Sequence, residues 1–286
     1  MTHNNMHESK DNTFIPMTSI MSGVDRQVKP DLYYYTDQIA NVIFIGNPQE
    51  GDWVLVDAGL PGAATEIKEV ASELFGEDAK PTCIILTHGH FDHVGGLVDL
   101  LKDWDVPVYA HENELPYLTG QKSYPVPDST VEGGMLAKIS PMYPHEPIDL
   151  GDAVQKLPDD GSVPELPEWE WIHTPGHSPG HVSFYREKDG TLLPGDAFIT
   201  VRQDSFYNVL MQNEEVNGPP RYLTTDWDAA WNSVKKLAAL HPKMAIPGHG
   251  VMMDGKDLEE GLQKLVHEFD TMAIPDYGRF VDDEID

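Results

Sequence analysis

The sequence of 286 residues predicts an α/β chain, in which short apolar strands deliver polar residues to their ends and amphipathic helices follow. Three observations predict this class. Cys83-Ile84-Ile85-Leu86 is a buried-strand run that spills into His88, His90, Asp92 and His93. Strand-like runs and helical stripes also recur in two halves, each running strands and then helices. Finally, the length and a hydrophobic content of 40% allow ample core in one large or two modest domains.

Residues 1 to about 30 are polar and read as an arm, with His3 and His7 solvated. Tyr33-Tyr34-Tyr35 and Asn41 to Ile45 read as strands, and Gly46 to Asp52 as a turn. Trp53 to Val56 is the next strand and delivers Asp57. Ile67, Val70, Ala71, Leu74 and Phe75 fall at helical spacing, stopped by Gly76. After the strand at 83–86, Gly95-Gly96 and then Leu97, Leu100 and Leu101 open a helix. Pro107 to Ala110 is a strand, and His111 after it reads as a cap or surface residue.

Residues 121–168 are punctuated by prolines and predict a lid or binding loop within a domain over 31–270. Met135, Leu136, Met142 and Tyr143 either line a substrate pocket or pack the loop onto the core. Glu168 to Ile172 is a strand; Val182–Tyr185 and Thr191–Pro194 read as a hairpin around Lys188-Asp189-Gly190. Residues 198–224 border the expected pocket, and Tyr207 there is a candidate hydroxyl donor to substrate. Trp227, Ala230, Trp231, Val234, Leu237 and Ala238 form a helical stripe, closed by His241-Pro242. Met244-Ala245-Ile246 is a short strand, Leu258 to Phe269 a last amphipathic helix, and 271–286 a loose acidic tail.

Nineteen basic against 48 acidic residues give a net charge of −29. Such a surface repels nucleic acid and anionic membranes, both of which need clustered Lys and Arg. A small-molecule substrate is the expected partner. Exposed aromatics near the lid are compatible with a homodimer. The single cysteine, Cys83, excludes an intramolecular disulfide and reads as a buried, inert thiol. With no apolar leader and no run of membrane-spanning length, the expected location is cytoplasmic.

His88, His90, Asp92 and His93 fall within six positions at a strand end. Imidazole and carboxylate without thiolate are donors that zinc accepts, and manganese, iron and cobalt as well. Alternate residues of an extended stretch point the same way, so His88 and His90 can share one metal while Asp92 and His93 face a second. Surface histidines on a loop are the plain alternative.

His-x-His-x-Asp-His at a strand end resembles the signature of the metallo-β-lactamase superfamily. Four more segments match in order: Val54 to Gly59, ending Asp57-x-Gly59; His173-Thr174-Pro175-Gly176-His177-Ser178-Pro179-Gly180; Gly195-Asp196; and Pro247-Gly248-His249-Gly250. The resemblance implies a four-layer αβ/βα sandwich, with two mixed sheets flanked by helices. It puts His88, His90 and His177 on one metal, and Asp92, His93 and His249 on the other. Asp196 bridges, and Asp57 orients a metal-binding His. His173 and His181 are left off the metals.

This ligand set implies two zinc ions per chain sharing a bridging hydroxide, the nucleophile for ester or lactone hydrolysis. Asp92 then orients it and passes the proton on. Flavodiiron-type members place Glu where His90 stands, which argues against a di-iron redox centre; true β-lactamases of the family lack the bridging Asp, so β-lactam cleavage is at most a side activity. Glyoxalase II-like enzymes hold glutathione with late basic residues; here these are only Lys256, Lys264 and Arg279. Persulfide dioxygenases use one iron and fewer ligands. The expectation is therefore a quorum-quenching-type lactonase. A glyoxalase II-like thioesterase is the enzyme alternative, and a non-catalytic metal-binding protein the alternative of another class.

Overall fold

The computed structural model describes residues 6–12, 22–131, 134–201 and 215–281, without the side chains of 134–136. The chain divides into two compact units: Met1–Tyr124 with Pro144–Pro167, and Pro125–Tyr143 with Glu168–Asp286.

In the first unit the apolar runs at the start of the chain form an antiparallel meander. Its strands are β1 (Val24–Lys29), β2 (Leu32–Asp37), β3 (Ala40–Gly46) and β4 (Trp53–Val56). From β4 onward the sheet is parallel, through β5 (Cys83–Ile85), β6 (Val108–Ala110) and β7 (Val154–Lys156). Parallel neighbours need crossovers. Helices supply two of them: α1 (Ala64–Phe75) before β5, then α2 (Phe91–Val94) and α3 (Leu97–Asp103) before β6. α4 (Leu115–Leu118) follows β6, and a short strand β8 (Ser162–Val163) follows β7. Ile67 and Ala71 of α1 and Leu97, Leu100 and Leu101 of α3 join one buried cluster with Trp53 and Leu55. Trp53 stacks on Phe75 at 4.7 Å, and Trp104 meets its edge at 5.7 Å. Because β4, β5 and β6 are parallel, Asp57, the His88–His93 stretch and Glu114 all follow strand ends on one edge.

The second unit holds α5 (Gly134–Ile139), β9 (Leu166–His173), β10 (Val182–Arg186) and β11 (Thr191–Gly195). These strands pair antiparallel, with Gly190 in the left-handed region (φ 67) closing the hairpin as expected. β12 (Met244–Pro247) lies parallel to β11, and β13 (Met253–Asp254) antiparallel to β12. So β9, β11 and β12 run the same way and carry His177, Asp196 and His249 beyond one edge. α6 (Trp227–Ala238) and α7 (Gly255–His267) bury Val234, Leu237, Leu258 and Leu262 in one cluster. α8 (Phe269–Met272) closes the unit, with Phe269 stacked on Trp231 at 5.6 Å. Among the described residues no helix is long and apolar enough to cross a membrane.

Three expectations need correction. The stretch read as an arm to residue 30 contains β1, and His7 bridges Asp149 through backbone hydrogen bonds. Polar composition there marks an edge strand, whose outer face meets water. The lid expected over 121–168 is split between the units and contains β7; Pro144, Pro147, Pro158 and Pro164 fall in its connections. The tail is fastened up to residue 281. Arg221 donates to the carbonyls of Met272 and Ala273, and the Arg279 amide donates to Asp128 at 2.6 Å. Net acidity hid this, because the anchoring groups are backbone atoms.

Candidate metal centre

The first unit gathers metal-type donors around Asp57. This residue takes a positive φ of 62, a conformation that aspartate tolerates better than most. Its carboxylate accepts the Thr87 amide at 2.8 Å and the Thr87 hydroxyl at 2.7 Å, and lies 2.8 Å from His93 Nδ1. With its proton committed to Asp57, the Thr87 hydroxyl accepts from His88 Nδ1 at 3.0 Å. Both imidazoles thus carry Nδ1–H and present Nε2 as the electron-pair donor. The His88 ring lies 4.7 Å from that of His90 and 4.3 Å from that of His93. Asp92 and His93 belong to α2, and all four side chains are buried.

The second unit repeats the device with different residues. The Thr224 hydroxyl donates to the Pro220 carbonyl at 2.8 Å and lies 3.2 Å from His177 Nδ1, which fixes the same tautomer. Asp196 Oδ2 lies 3.4 Å from His177 Nε2 and 3.3 Å from His249 Nε2, so two imidazoles converge on one carboxylate oxygen. His181 does not compete for that position, because its Nε2 accepts the Asp196 amide at 2.9 Å. Its Nδ1 proton goes to Thr174 Oγ1 at 2.9 Å, which meets Ser183 Oγ at 2.9 Å; Ser183 donates to the Pro194 carbonyl. His173 is spent on the turn, with Nε2 2.9 Å from the Pro179 carbonyl.

These residues fit divalent ions by their chemistry. Each unit by itself offers buried imidazoles with Nε2 as the donor atom, a carboxylate among them, and outer partners that fix the rings. Burying so many ionisable groups is expensive unless they are paired or metal-bound.

The other candidates fall as follows. Tyr207 lies outside the described residues, as do Arg202, Gln203, Phe206, Leu210 and Met211. Tyr143 is buried against Tyr222 with ring centroids 5.5 Å apart, so it packs, whereas Met142 is 74% exposed. Met135 and Leu136 are outside the described side chains. His111 Nδ1 caps the turn after β6 by accepting the Asn113 amide at 3.2 Å. Cys83 is buried, and burial pushes its thiol up to about 12, which makes it inert.

Sequence reading missed Thr87, Thr224, Glu114 and Tyr124. Glu114 is fully buried and accepts the Gly89 amide at 2.9 Å; Tyr124 donates to the same carboxylate oxygen. Burial first, and then the Glu114 carboxylate, hold the Tyr124 phenol well above its usual range, so it stays a donor. One signal was available for Glu114: like Asp57 and His88, it stands just past the end of a parallel strand.

A family model described as the metallo-beta-lactamase superfamily matches residues 35–249. A probable metallo-hydrolase of Bacillus subtilis strain 168, YflN, is 45% identical over 260 residues, covering 91% of this chain and 98% of that protein. A second from the same organism, YybB, is 30% identical over 203 residues, covering 71% and 78%. Among solved structures, a metallo-beta-lactamase family protein from Thermus thermophilus matches with a TM-score of 0.56 at 21% identity, over 85% of this chain and 80% of that one. Another, solved in a di-iron-bound form, matches with a TM-score of 0.51 at 27% identity, over 75% and 89%.

Proposed function

Because the chain belongs to the metallo-β-lactamase superfamily and is a metallo-hydrolase of it, we propose that it opens the carbonyl of a lactone or ester at a two-metal centre. On this reading His88, His90 and His177 hold one ion, Asp92, His93 and His249 the other, and Asp196 bridges. The observation that carries it is Asp196 Oδ2, which lies within 3.4 Å of two imidazole nitrogens, a placement suited to a shared carboxylate ligand.

Divalent ions held there would supply a water with a pKa of about 7 and polarise the carbonyl. The chain's own residues do the rest. Asp57, through Thr87 and directly, holds the His88 and His93 rings with Nε2 forward. Thr224 does so for His177, and His181 holds the backbone of Asp196. A carboxylate oxygen of Asp92 takes the proton of the attacking water and gives it to the leaving alkoxide, so lactone plus water becomes the open hydroxy acid.

The acidic balance favours a small, weakly charged substrate over a polyanion, and a cytoplasmic setting belongs to the same proposal. Zinc is the proposed occupant. The relative solved with two irons makes iron the first alternative, since these donors accept both.

The test is a substrate panel on zinc-loaded and on iron-loaded protein: short- and long-chain acyl-homoserine lactones, S-lactoylglutathione and a cephalosporin. Lactone opening that a chelator abolishes is the expected result. Turnover of the thioester with lactones untouched overturns the lactonase reading in favour of a glyoxalase II-like one.

A further inference from the structure

Between the first two histidines of the His-x-His-x-Asp-His stretch stands Gly89, and two buried side chains converge on its backbone. Its amide donates to Glu114 Oε2 at 2.9 Å and lies 3.1 Å from Tyr124 Oη. The Tyr124 hydroxyl donates to that same Glu114 oxygen. A Cβ at position 89 would stand 2.6 Å from Tyr124 Oη, so the close approach itself requires glycine. The Tyr124 ring is held from two sides: it stacks on Tyr117 at 3.9 Å with the planes 4° apart, and meets the His90 ring at 4.4 Å and 61°. Glu114 is 0% exposed and Tyr124 7%.

We propose that Glu114 and Tyr124 form a positioning clamp for the metal-binding pair His88 and His90, holding their intervening peptide and the plane of the His90 ring. The inference rests on the reading of those histidines as ligands. The physical argument is preorganisation. A peptide between two ligands has two soft dihedrals on each side, and each rotation moves an imidazole nitrogen away from its ion. A hydrogen bond from the amide to a buried carboxyl oxygen removes that freedom before metal arrives. Edge-on packing of the phenol against His90 removes its ring rotation. His88 and His93 have Asp57 and Thr87 for this purpose; His90 has Tyr124.

The experiment compares the parent with Glu114→Ala, Glu114→Gln and Tyr124→Phe. Zinc and cobalt affinity are measured by competition with a chromophoric chelator, together with the cobalt absorption bands and the melting temperature of the metal-free proteins. Glu114→Ala and Tyr124→Phe are expected to weaken metal binding roughly 10–100-fold and to shift the cobalt bands. Glu114→Gln is expected to recover most of the affinity, since an amide oxygen still accepts from Gly89 and Tyr124. A lower metal-free melting temperature with parental metal affinity in both variants would make the cluster merely structural and overturn the proposal. If Glu114→Ala does not fold, Tyr124→Phe, which deletes a single hydroxyl, decides on its own. A parent that binds no metal sinks both the ligand reading and the clamp; a parent that binds metal yet opens no lactone sinks only the substrate reading.

Discussion

Asp37, in β2, is buried beneath the turn that follows Asp57 and accepts the Leu60 amide at 2.7 Å. Burial raises its carboxyl from 3.8 to about 6; the Leu60 hydrogen bond opposes this, and the charges of Glu66 and Asp92 add to it. The folded chain therefore holds this proton more tightly than the unfolded chain does. The resulting stabilisation is fully present below 3.8 and is lost as pH rises through about 6. Asp37→Asn keeps an acceptor for Leu60 and cannot ionise. It should stabilise the metal-free protein by about 3 kcal/mol near neutral pH and by well under about 1 kcal/mol near pH 4, read from denaturant titrations at both values. Asp196 is expected to behave in the opposite sense, as a residue that serves the site. Asp196→Ala should lower metal content below the parent's and turnover on the order of 100-fold, measured by elemental analysis beside the lactone assay. Parental metal content with full turnover would refute the bridging role proposed for it.

At the scale of elements, the donor cluster of each unit sits at strand ends pinned to a neighbouring element. Gly176, with φ 132, lets the turn before His177 sit on the start of α6. A Cβ there would lie 2.3 Å from the Ala230 amide nitrogen, and the Gly176 carbonyl accepts the amides of Thr225 and Asp226. Gly176→Ala is thus expected to destabilise by about 2 kcal/mol or more, through strain and displaced backbone. Gly23→Ala makes the control. It shares a positive φ of 78 but meets nothing within 4 Å among the described residues, so it should show only the backbone strain of about 1 kcal/mol. Comparing the two in thermal melts separates conformation from contact; equal losses would mean that the approach to α6 is slack. Much of this level was legible in the sequence. Strands at 53–56, 83–86 and 244–246 and helices at 64–75 and 227–238 followed from apolar periodicity, because each buries one face or both. β1 and β7 were not legible, since they lie at sheet edges, where half-exposed residues carry no apolar run.

For the whole molecule, a net charge of −29 means self-repulsion that salt screens. Relief of about 1 kcal/mol on going from low to high ionic strength should raise the metal-free melting temperature by about 2–4 °C; a fall instead would mean that specific ion pairs outweigh the net field. Metal removal acts in the other direction. Ions that bind only the folded chain, held at about 1,000 times their dissociation constant, stabilise it by about 4 kcal/mol, so chelation should lower the melting temperature and re-addition restore it.

What the sequence by itself determined was the class of fold, the family and the donor types, because a metal motif is local: residue spacing at a strand end already groups His88, His90, Asp92 and His93. Apart from Asp57, which the family resemblance already assigned to a metal-binding His, only the tertiary structure decided which groups serve those donors. Asp57 reaches Thr87 and His93, Thr224 reaches His177, and Glu114 and Tyr124 reach Gly89, across separations of 25 to 47 residues. No periodicity encodes such pairs. Parallel strand order brings β4, β5 and β6 side by side, and a hydroxyl or carboxylate becomes an anchor only by where the sheet leaves it.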